Sequence, residues 1–218
     1  VEEAMMSPFS VERVYRKDEI GEEAMSRISS LSSPPPSLAV VHKPDDIRVD
    51  DPASLKPLLQ KGGLFLALDT IRDPGNLGTI LRIADWFGIK AVFAAHDTVD
   101  VFNPKVVQAT MGAIFRVKMH YVDLPSLSET VLSTGGHIYG TFLDGRDIYD
   151  RPLDNGEDAP AVIVIGNESD GSSGQRKKVV SDRLYIPPFP ADEQGSESLN
   201  AAIATAITVA EFRRRTRK

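Results

Sequence analysis

The sequence predicts an α/β fold with a mostly parallel β-sheet and helices on both faces. From residue 64 onward, short apolar segments alternate with segments of helical periodicity, as they do when crossover helices join parallel strands. Two of the apolar segments, 64–68 (LFLAL) and 161–165 (AVIVI), are apolar at every position. Continuous apolar strands are typical of a parallel sheet that is covered on both faces.

The individual elements follow in a regular order. Strands are expected at 64–68, 91–95, 114–119, 137–143, 161–165 and 184–186. Helices are expected at 76–87, 103–111, 126–132 and 197–215. The helix at 103–111 has Asn103 as its N-cap and Pro104 at its first position. In such a sheet, ligands bind beyond the carboxyl ends of the strands, so the sequence predicts the site in the loops there.

The first 63 residues follow a different pattern. A strand is expected at 9–15, a helix at 19–30 and a strand at 38–41, followed by an acidic stretch that Pro52 closes. We therefore expect a small domain at 1–44, a linker at 45–63 and the main domain at 64–218. The chain starts at Val1 without an initiator Met, and we expect the native protein to begin earlier.

Composition limits the classes of function. A hydrophobic fraction of 41% and a charged fraction of 26% are those of an ordinary globular protein. The sequence has no apolar run of roughly 20 residues and no secretory leader. It has no cysteine, which fits a cytoplasmic protein, and its four histidines lack the spacing of metal ligands, so no metal is expected.

Charge is less decisive about partners. The net charge of −6 argues mildly against a protein that coats nucleic acid, although a local basic patch is enough to bind phosphate. Residues 213–218 (RRRTRK) form such a patch. We favour a solvated helix end that complements the helix dipole over an RNA contact there.

Three loops carry the residues that suggest chemistry. In the first, 73–84 (DPGNLGTILRIA), Pro74 and Gly75 predict a tight turn, Asn76 is placed to cap the next helix, and Gly78 permits a close approach. Arg82 lies six residues after Asn76, nearly two helical turns away. A plain capped helix with a surface arginine explains this spacing equally well.

The other two loops follow the later strands. Residues 166–171 (GNESDG) place a carboxylate and two glycines directly after an apolar strand, where a polar ligand or a simple glycine-rich turn would fit. Residues 186–190 (IPPFP) lead through 195–200 (GSESLN) into the last helix, whose first turn offers free backbone N–H groups. An ordinary capping turn is the alternative interpretation of this third loop.

Together and in this order, the three loops resemble the motifs of the SpoU family, also called TrmH-like RNA ribose methyltransferases. The first motif, N-x-G-x-x-x-R-x-A, is present as Asn76, Gly78, Arg82 and Ala84. The second, G-N-E-x-x-G, spans 166–171, and the E-S-L-N of the third spans 197–200. The segment 103–113 (NPKVVQATMGA) is also similar to a family segment.

This resemblance implies a trefoil-knotted fold and a homodimer with its pockets at the interface. It also implies S-adenosylmethionine as the methyl donor, no metal, and a ribose 2′-hydroxyl of RNA as the acceptor. Backbone groups and apolar side chains of three segments would bind the cofactor. These segments contain Thr141, Phe142 and Leu143; Ile165, Gly166 and Asn167; and Ile186, Ser198 and Leu199.

The resemblance also assigns the catalytic residues. Arg82 has the family role of activating the 2′-hydroxyl, but a guanidinium stays protonated. We therefore expect Arg82 to fix an RNA phosphate and to stabilise the developing alkoxide. Asn76 and Ser198 would orient the ribose and Arg82, while Glu168 and Asn200 would order the pocket.

The sequence departs from its relatives in two places. Ser169 and Asp170 follow Glu168 where relatives often have a glycine next, and 188–194 (PFPADEQ) reads as an insertion. The N-terminal segments 28–31, 38–41 and 43–44 resemble the end of a small RNA-binding domain related to a ribosomal protein, which is usually longer.

Three alternatives remain at this point. They are methylation of a base, a catalytically inactive RNA-binding relative, and a nucleotide-binding enzyme of another class. The last would need a phosphate-binding glycine motif that 73–78 does not match. Ribosomal RNA is favoured over transfer RNA as the substrate.

Overall fold

The structure is a computed structural model that describes residues 1–154, 156–166, 180–190 and 198–216. Its strands are β1 Val11–Arg16, β2 Ser37–Val41, β3 Gly63–Asp69, β4 Ala91–Ala94, β5 Lys118–Tyr121, β6 His137–Asp147, β7 Pro160–Gly166 and β8 Asp182–Tyr185. Its α-helices are α1 Glu2–Met5, α2 Lys17–Ile20, α3 Glu22–Ile28, α4 Lys56–Leu59, α5 Pro74–Trp86, α6 Pro104–Thr110, α7 Leu124–Ser133 and α8 Ala201–Thr216. Short 3-10 helices span Asp45–Ile47, Pro52–Leu55 and Ala113–Phe115.

The main sheet has six strands in the order β5-β4-β3-β7-β6-β8, and all of its neighbouring strands are parallel. Alternate residues of β3 enter two separate cores. Leu64, Leu66 and Leu68 pack with α5, α6 and α8, whereas Phe65 and Ala67 pack with α4 and α7. The predicted parallel sheet with helices on both faces is therefore confirmed.

Several predicted boundaries are wrong. The strand expected at 114–119 begins only at Lys118, because Met111 and Gly112 adopt left-handed backbone conformations and turn the chain into a 3-10 helix. The helix expected at 19–30 is divided at Gly21, whose φ is +83°. Strand β6 continues to Asp147 after an irregularity in its pairing with β8.

The N-terminal segment forms an antiparallel pair, β1 and β2, and contacts the main sheet region. The ring centroids of Phe9 and Phe115 are 5.3 Å apart. Arg116 donates a hydrogen bond to the carboxylate of Glu3 at 3.0 Å. Within 45–63, Leu55 and Leu59 are buried in the second core. The domain boundaries drawn from the sequence stay a prediction.

The basic end of α8 is held by the protein. Glu211 is 5% exposed and accepts hydrogen bonds from Arg214 at 2.8 Å and from Arg215 at 2.7 Å. Arg213 donates to the carbonyl of Phe87 at 3.0 Å, and Arg215 also donates to that of Tyr149 at 2.8 Å. Arg213 and Arg215 therefore fasten the helix to its neighbours instead of projecting into solvent.

This arrangement predicts a pH-dependent contribution to stability. The Arg214 hydrogen bond, with help from Arg215, lowers the pKa of Glu211 below its usual value. A carboxylate with a lowered pKa stabilises the fold above its unfolded-state pKa and loses that contribution as pH falls through the folded-state pKa. We expect Glu211→Gln to reduce the free energy of unfolding by about 1–3 kcal/mol at pH 7. The difference from wild type, measured by urea unfolding, should shrink below about pH 4.5; a difference independent of pH would contradict the pairing.

Gly78 of the first motif is required for packing between helices. A Cβ atom there would lie 2.4 Å from the Cβ of Ala109 and 3.0 Å from the carbonyl oxygen of Val106. The group that approaches this glycine is thus α6, not a ligand. We expect Gly78→Ala to lower the free energy of unfolding by about 1–3 kcal/mol through overpacking.

Gly75→Ala is the matched control for this substitution, because its Cβ would meet only the Asp73 carboxylate oxygen, at 3.1 Å. Both variants should be compared by thermal and urea unfolding. Equal unfolding midpoints for the two variants would contradict this prediction, because they would show that α5 and α6 can move apart at Gly78 without loss of stability.

Candidate active site

The carboxyl ends of β3, β7, β6 and β8 meet at one edge of the sheet. Asp69 at the end of β3 pairs with Gly166 at the end of β7, and Thr141 of β6 pairs with Leu184 of β8. The start of α5 and the start of α8 lie at the same edge, and two adjoining cavities open there.

The first cavity, here called the polar pocket, has a volume of about 410 Å³. It is lined by Thr70, Ile71, Arg72, Asp73, Asn76, Thr141, Ile165, Gly166, Ser198, Leu199, Asn200, Ala201 and Ala204. The second, here called the apolar cleft, has a volume of about 470 Å³. It is lined by Thr141, Phe142, Leu143, Tyr149, Tyr185, Ile186, Pro187, Pro188, Phe189, Ser198, Leu199, Ala204 and Ile207.

The start of α5 is capped by Asp73, and the expectation that Asn76 caps it is wrong. The Asp73 carboxylate accepts the backbone N–H of Asn76 at 2.7 Å, and Pro74 occupies the first helical position. Asn76 consequently lies at the third helical position. Its side chain is not used for capping and is available to the polar pocket that it lines.

A hydrogen bond between two asparagines joins the first and third motifs. The Asn200 Oδ1 accepts the N–H groups of Ala202 at 2.9 Å and Ile203 at 3.3 Å, which caps α8. Its Nδ2 therefore faces Asn76 and donates to the Asn76 Oδ1 at 2.9 Å. The two residues are 124 positions apart in the chain, and this bond fixes the starts of α5 and α8 against each other.

The remaining predicted catalytic residues are placed as follows. Ser198 is exposed and lines both cavities. Arg82 is exposed on α5, nearly two turns beyond Asn76, and is not among the lining residues of either cavity. Glu168 lies outside the described residues, as do 195–197 at the beginning of the third motif.

Most of the predicted cofactor residues meet at the two cavities. Thr141, Ser198 and Leu199 line both of them. Phe142, Leu143 and Ile186 line the apolar cleft, and Ile165 and Gly166 line the polar pocket. Asn167 lies outside the described residues. The Arg183 guanidinium lies 4.7 Å from the centroid of the Phe142 ring, which supports that wall of the cleft.

The sequence did not predict every lining residue. Thr70 and Arg72 line the polar pocket, and their position directly after β3 was the available signal. Tyr149 and Tyr185 line the apolar cleft. Tyr149 reaches it because β6 runs to Asp147, farther than its apolar residues indicated.

The cleft fits the cofactor that the resemblance implies. Its volume lies within the range of about 300–1,000 Å³ that is usual for small-molecule sites. Leu143, Ile186 and Leu199 offer apolar surfaces for an adenine ring, while Thr141 and Ser198 line both cavities. Within the described residues, no group of three or more His, Asp or Glu side chains is arranged to hold a metal ion.

A parallel α/β sheet with two adjoining cavities at its carboxyl edge belongs to the class of α/β proteins that bind small molecules at that edge. The family is shown by comparison with known proteins. The family model described as "SpoU rRNA Methylase family" matches residues 63–210. The chain belongs to the SpoU rRNA methylase family.

Two curated relatives illustrate the similarity. The chain is 30% identical to the 23S rRNA (guanosine(2553)-2′-O)-methyltransferase RlmP of Bacillus subtilis, over 98% of this chain and 85% of the relative. It is 29% identical to the human mitochondrial rRNA methyltransferase 3, over 87% of this chain and 55% of the relative. The chain thus spans about half the length of the mitochondrial relative.

Solved structures share the fold. A protein from Porphyromonas gingivalis, assigned to the TrmH family of RNA methyltransferases, is 42% identical with a TM-score of 0.73, covering 88% of this chain and 71% of its own. The AdoMet-bound rRNA methyltransferase from Sinorhizobium meliloti is 25% identical with a TM-score of 0.83, covering 100% of this chain and 85% of its own. Among the helices in the described ranges, none combines the length and apolar character needed to cross a membrane.

Proposed function

We propose that this chain transfers the methyl group of S-adenosylmethionine to a ribose 2′-hydroxyl of ribosomal RNA. The hydrogen bond between Asn76 and Asn200 carries this proposal. It joins two of the predicted motifs at the polar pocket, directly beside a cleft that fits the methyl donor.

The apolar cleft is the proposed cofactor site. Leu143, Ile186 and Leu199 pack against the adenine, and Phe142 is supported from behind by Arg183. When bound, S-adenosylmethionine supplies a methyl group that its sulfonium already activates. The task left to the protein is to hold donor and acceptor in line, so rigid positioning matters more than an additional reactive group.

The polar pocket is the proposed acceptor site. Asn76 and Ser198 orient the ribose, and Asn200 fixes the side chain of Asn76. Glu168 is proposed to order the pocket, as its family position suggests. Arg82 is proposed to stabilise the developing alkoxide. Because Arg82 is outside both cavities of its own chain, this role requires that it reach RNA above the pocket or the pocket of a second copy.

Ribosomal RNA is the proposed substrate, and the name of the B. subtilis relative supports this choice over transfer RNA. We assign RNA binding to residues 1–44, which contact the catalytic region through Phe9 and Glu3. The absence of cysteine supports a cytoplasmic location.

A homodimer and a trefoil knot complete the proposal. Ile203, a large apolar side chain at the start of α8 that lines neither cavity, is 53% exposed in the single chain. A second copy covering it would remove this surface from water. The knot is supported by β8, which follows β7 in the chain but lies beyond β6, and by α8, which returns to pack on α5.

Titration calorimetry with S-adenosylmethionine and with its demethylated product tests the proposal. Leu199→Asp should weaken both affinities at least tenfold, because it places a charge in the cleft. Leu132→Asp is the matched control, since Leu132 has a similar exposure, 49% against 45%, but lies on α7 at the other face of the sheet. If wild type binds neither compound, the enzyme proposal fails.

Sedimentation velocity tests the homodimer with a second pair of variants. Wild type and Leu132→Asp should sediment at twice the mass of the chain, whereas Ile203→Asp should shift the population toward monomer. A monomeric wild type at micromolar concentration would overturn the dimer.

A further inference from the structure

Part of β6 projects from the sheet beside the apolar cleft. Thr141 and Arg146 both pair with Leu184 of β8. Within the described part of the chain, the residues between them pair with no strand, and they are here called the 142–145 bulge. We propose that Arg183 is a positioning residue for S-adenosylmethionine, because it fixes this bulge as one wall of the cleft. This inference rests on the proposed function, since it assumes that the methyl donor occupies the cleft.

Both ends of the bulge are held against β8. A Cβ atom at Gly145 would lie 2.4 Å from the carbonyl oxygen of Leu184, so only glycine lets the chain return this close to the strand. Beyond it, the N–H of Ile148 donates to the carbonyl of Tyr185 at 2.9 Å, and the side chain of Ile148 is buried. At the other end, Thr141 pairs in the sheet. The ends are therefore fixed, whereas the side chains of the bulge need support from outside the sheet pairing.

Two side chains of the bulge, Phe142 and Leu143, line the apolar cleft. Leu143 is 63% exposed, so the core does not hold it. The ring of Phe142 packs over Gly140, where a Cβ atom would lie 2.7 Å from the Cε2 of the ring. The position of this wall therefore depends on what holds the other parts of the bulge.

Arg183 contacts the bulge in two ways. It donates a hydrogen bond to the carboxylate of Asp144, and its guanidinium lies 4.7 Å from the centroid of the Phe142 ring. Both contacts are directional, so together they fix the bulge relative to β8. Arg183 lines a separate cavity with Asp144 and Gly145, and it is not among the described residues that line the apolar cleft. Arg183 consequently acts on the cofactor through the bulge, not by direct contact.

A wall that is in place before the ligand arrives lowers the cost of binding, because less of the protein has to be ordered. Without Arg183, the cofactor itself would have to order Phe142 and Leu143. This effect is independent of the charge of the ligand. A direct electrostatic effect of the guanidinium would instead act on the sulfonium of S-adenosylmethionine, which the demethylated product lacks. An equal loss of affinity for the two compounds therefore indicates positioning.

Titration calorimetry with S-adenosylmethionine and with its demethylated product tests the role of Arg183. We expect Arg183→Met, which keeps an apolar stem but removes both contacts, to weaken both affinities about tenfold. Asp144→Asn should cause a smaller loss, because it removes the charge of one partner and leaves the guanidinium over the ring. Arg183→Lys keeps the positive charge and should recover most of the affinity.

Arg151→Met is the matched control. Arg151 donates a hydrogen bond to Asp182 of the same strand, and it lines the same cavity as Arg183 but not the apolar cleft. The two arginine side chains are similarly exposed, 23% for Arg151 and 34% for Arg183. Arg151→Met should bind both compounds with wild-type affinity. An equal loss in Arg151→Met and Arg183→Met, or a loss confined to S-adenosylmethionine, would overturn the positioning role.

Steady-state transfer of labelled methyl groups to 23S rRNA separates positioning from a loss of folded protein. Arg183→Met should raise the KM for S-adenosylmethionine about tenfold with little change in kcat. Partial unfolding would instead lower kcat and leave KM unchanged, and that result would contradict the proposal. If wild type bound neither compound, the proposed function would fail together with this inference. If wild type and Arg183→Met bound both compounds equally well, only the positioning role would fail.

Discussion

Replacing Arg82 with alanine is expected to lower the rate of methyl transfer by about 10²–10³-fold, the loss typical when one donor to a developing negative charge is removed. Its affinity for S-adenosylmethionine should stay within about twofold of wild type, because Arg82 does not line the apolar cleft. Single-turnover transfer to 23S rRNA, together with calorimetry, measures the two quantities separately.

Arg82→Lys is the informative companion variant. It keeps the positive charge but lacks the planar fork of donors, so partial activity is expected. Near-normal turnover of Arg82→Ala would remove Arg82 from the reaction.

The largest effect on stability is expected at Phe212. This residue is 0% exposed in the core between α8 and the sheet, and its ring meets that of Tyr139 edge-on at 4.9 Å. Phe212→Ala should lower the free energy of unfolding by about 3–5 kcal/mol. Because α8 carries Asn200 at its start, loosening this helix should also impair the site.

Phe189→Ala is the matched control, because it makes the same substitution at a phenylalanine that is 99% exposed. Its free energy of unfolding should change by no more than about 0.5 kcal/mol. Urea unfolding gives both values. Similar midpoints for the two variants would mean that α8 does not depend on Phe212 for its docking.

Parts of the fold were predictable because local chemistry determined them. The continuous apolar runs of β3 and β7 identified the two central strands, and Asn103 does cap α6, where it accepts the N–H of Lys105 at 2.9 Å. The strand expected at 114–119 was wrong because the left-handed conformations of Met111 and Gly112 turn the chain before it. Its apolar residues enter the core from a 3-10 helix, where Ile114 is buried, instead of from a strand.

The site was predictable as a set of residues but not as a set of contacts. Asp and Asn are both residue types that commonly cap helices. Because Pro74 occupies the first helical position, the N-cap is Asp73 and not Asn76. The bond between Asn76 and Asn200 depends on how the sheet brings two distant helix starts together, and no local pattern encodes that.

Mapping of 2′-O-methyl groups in ribosomal RNA, from cells with and without this gene, is the most direct test of the proposed function. Loss of one specific ribose methylation in the deletion strain, restored by wild type but not by Arg82→Ala, is the predicted result. An unchanged 2′-O-methylation pattern, or loss of a methyl group from a base, would contradict the proposal.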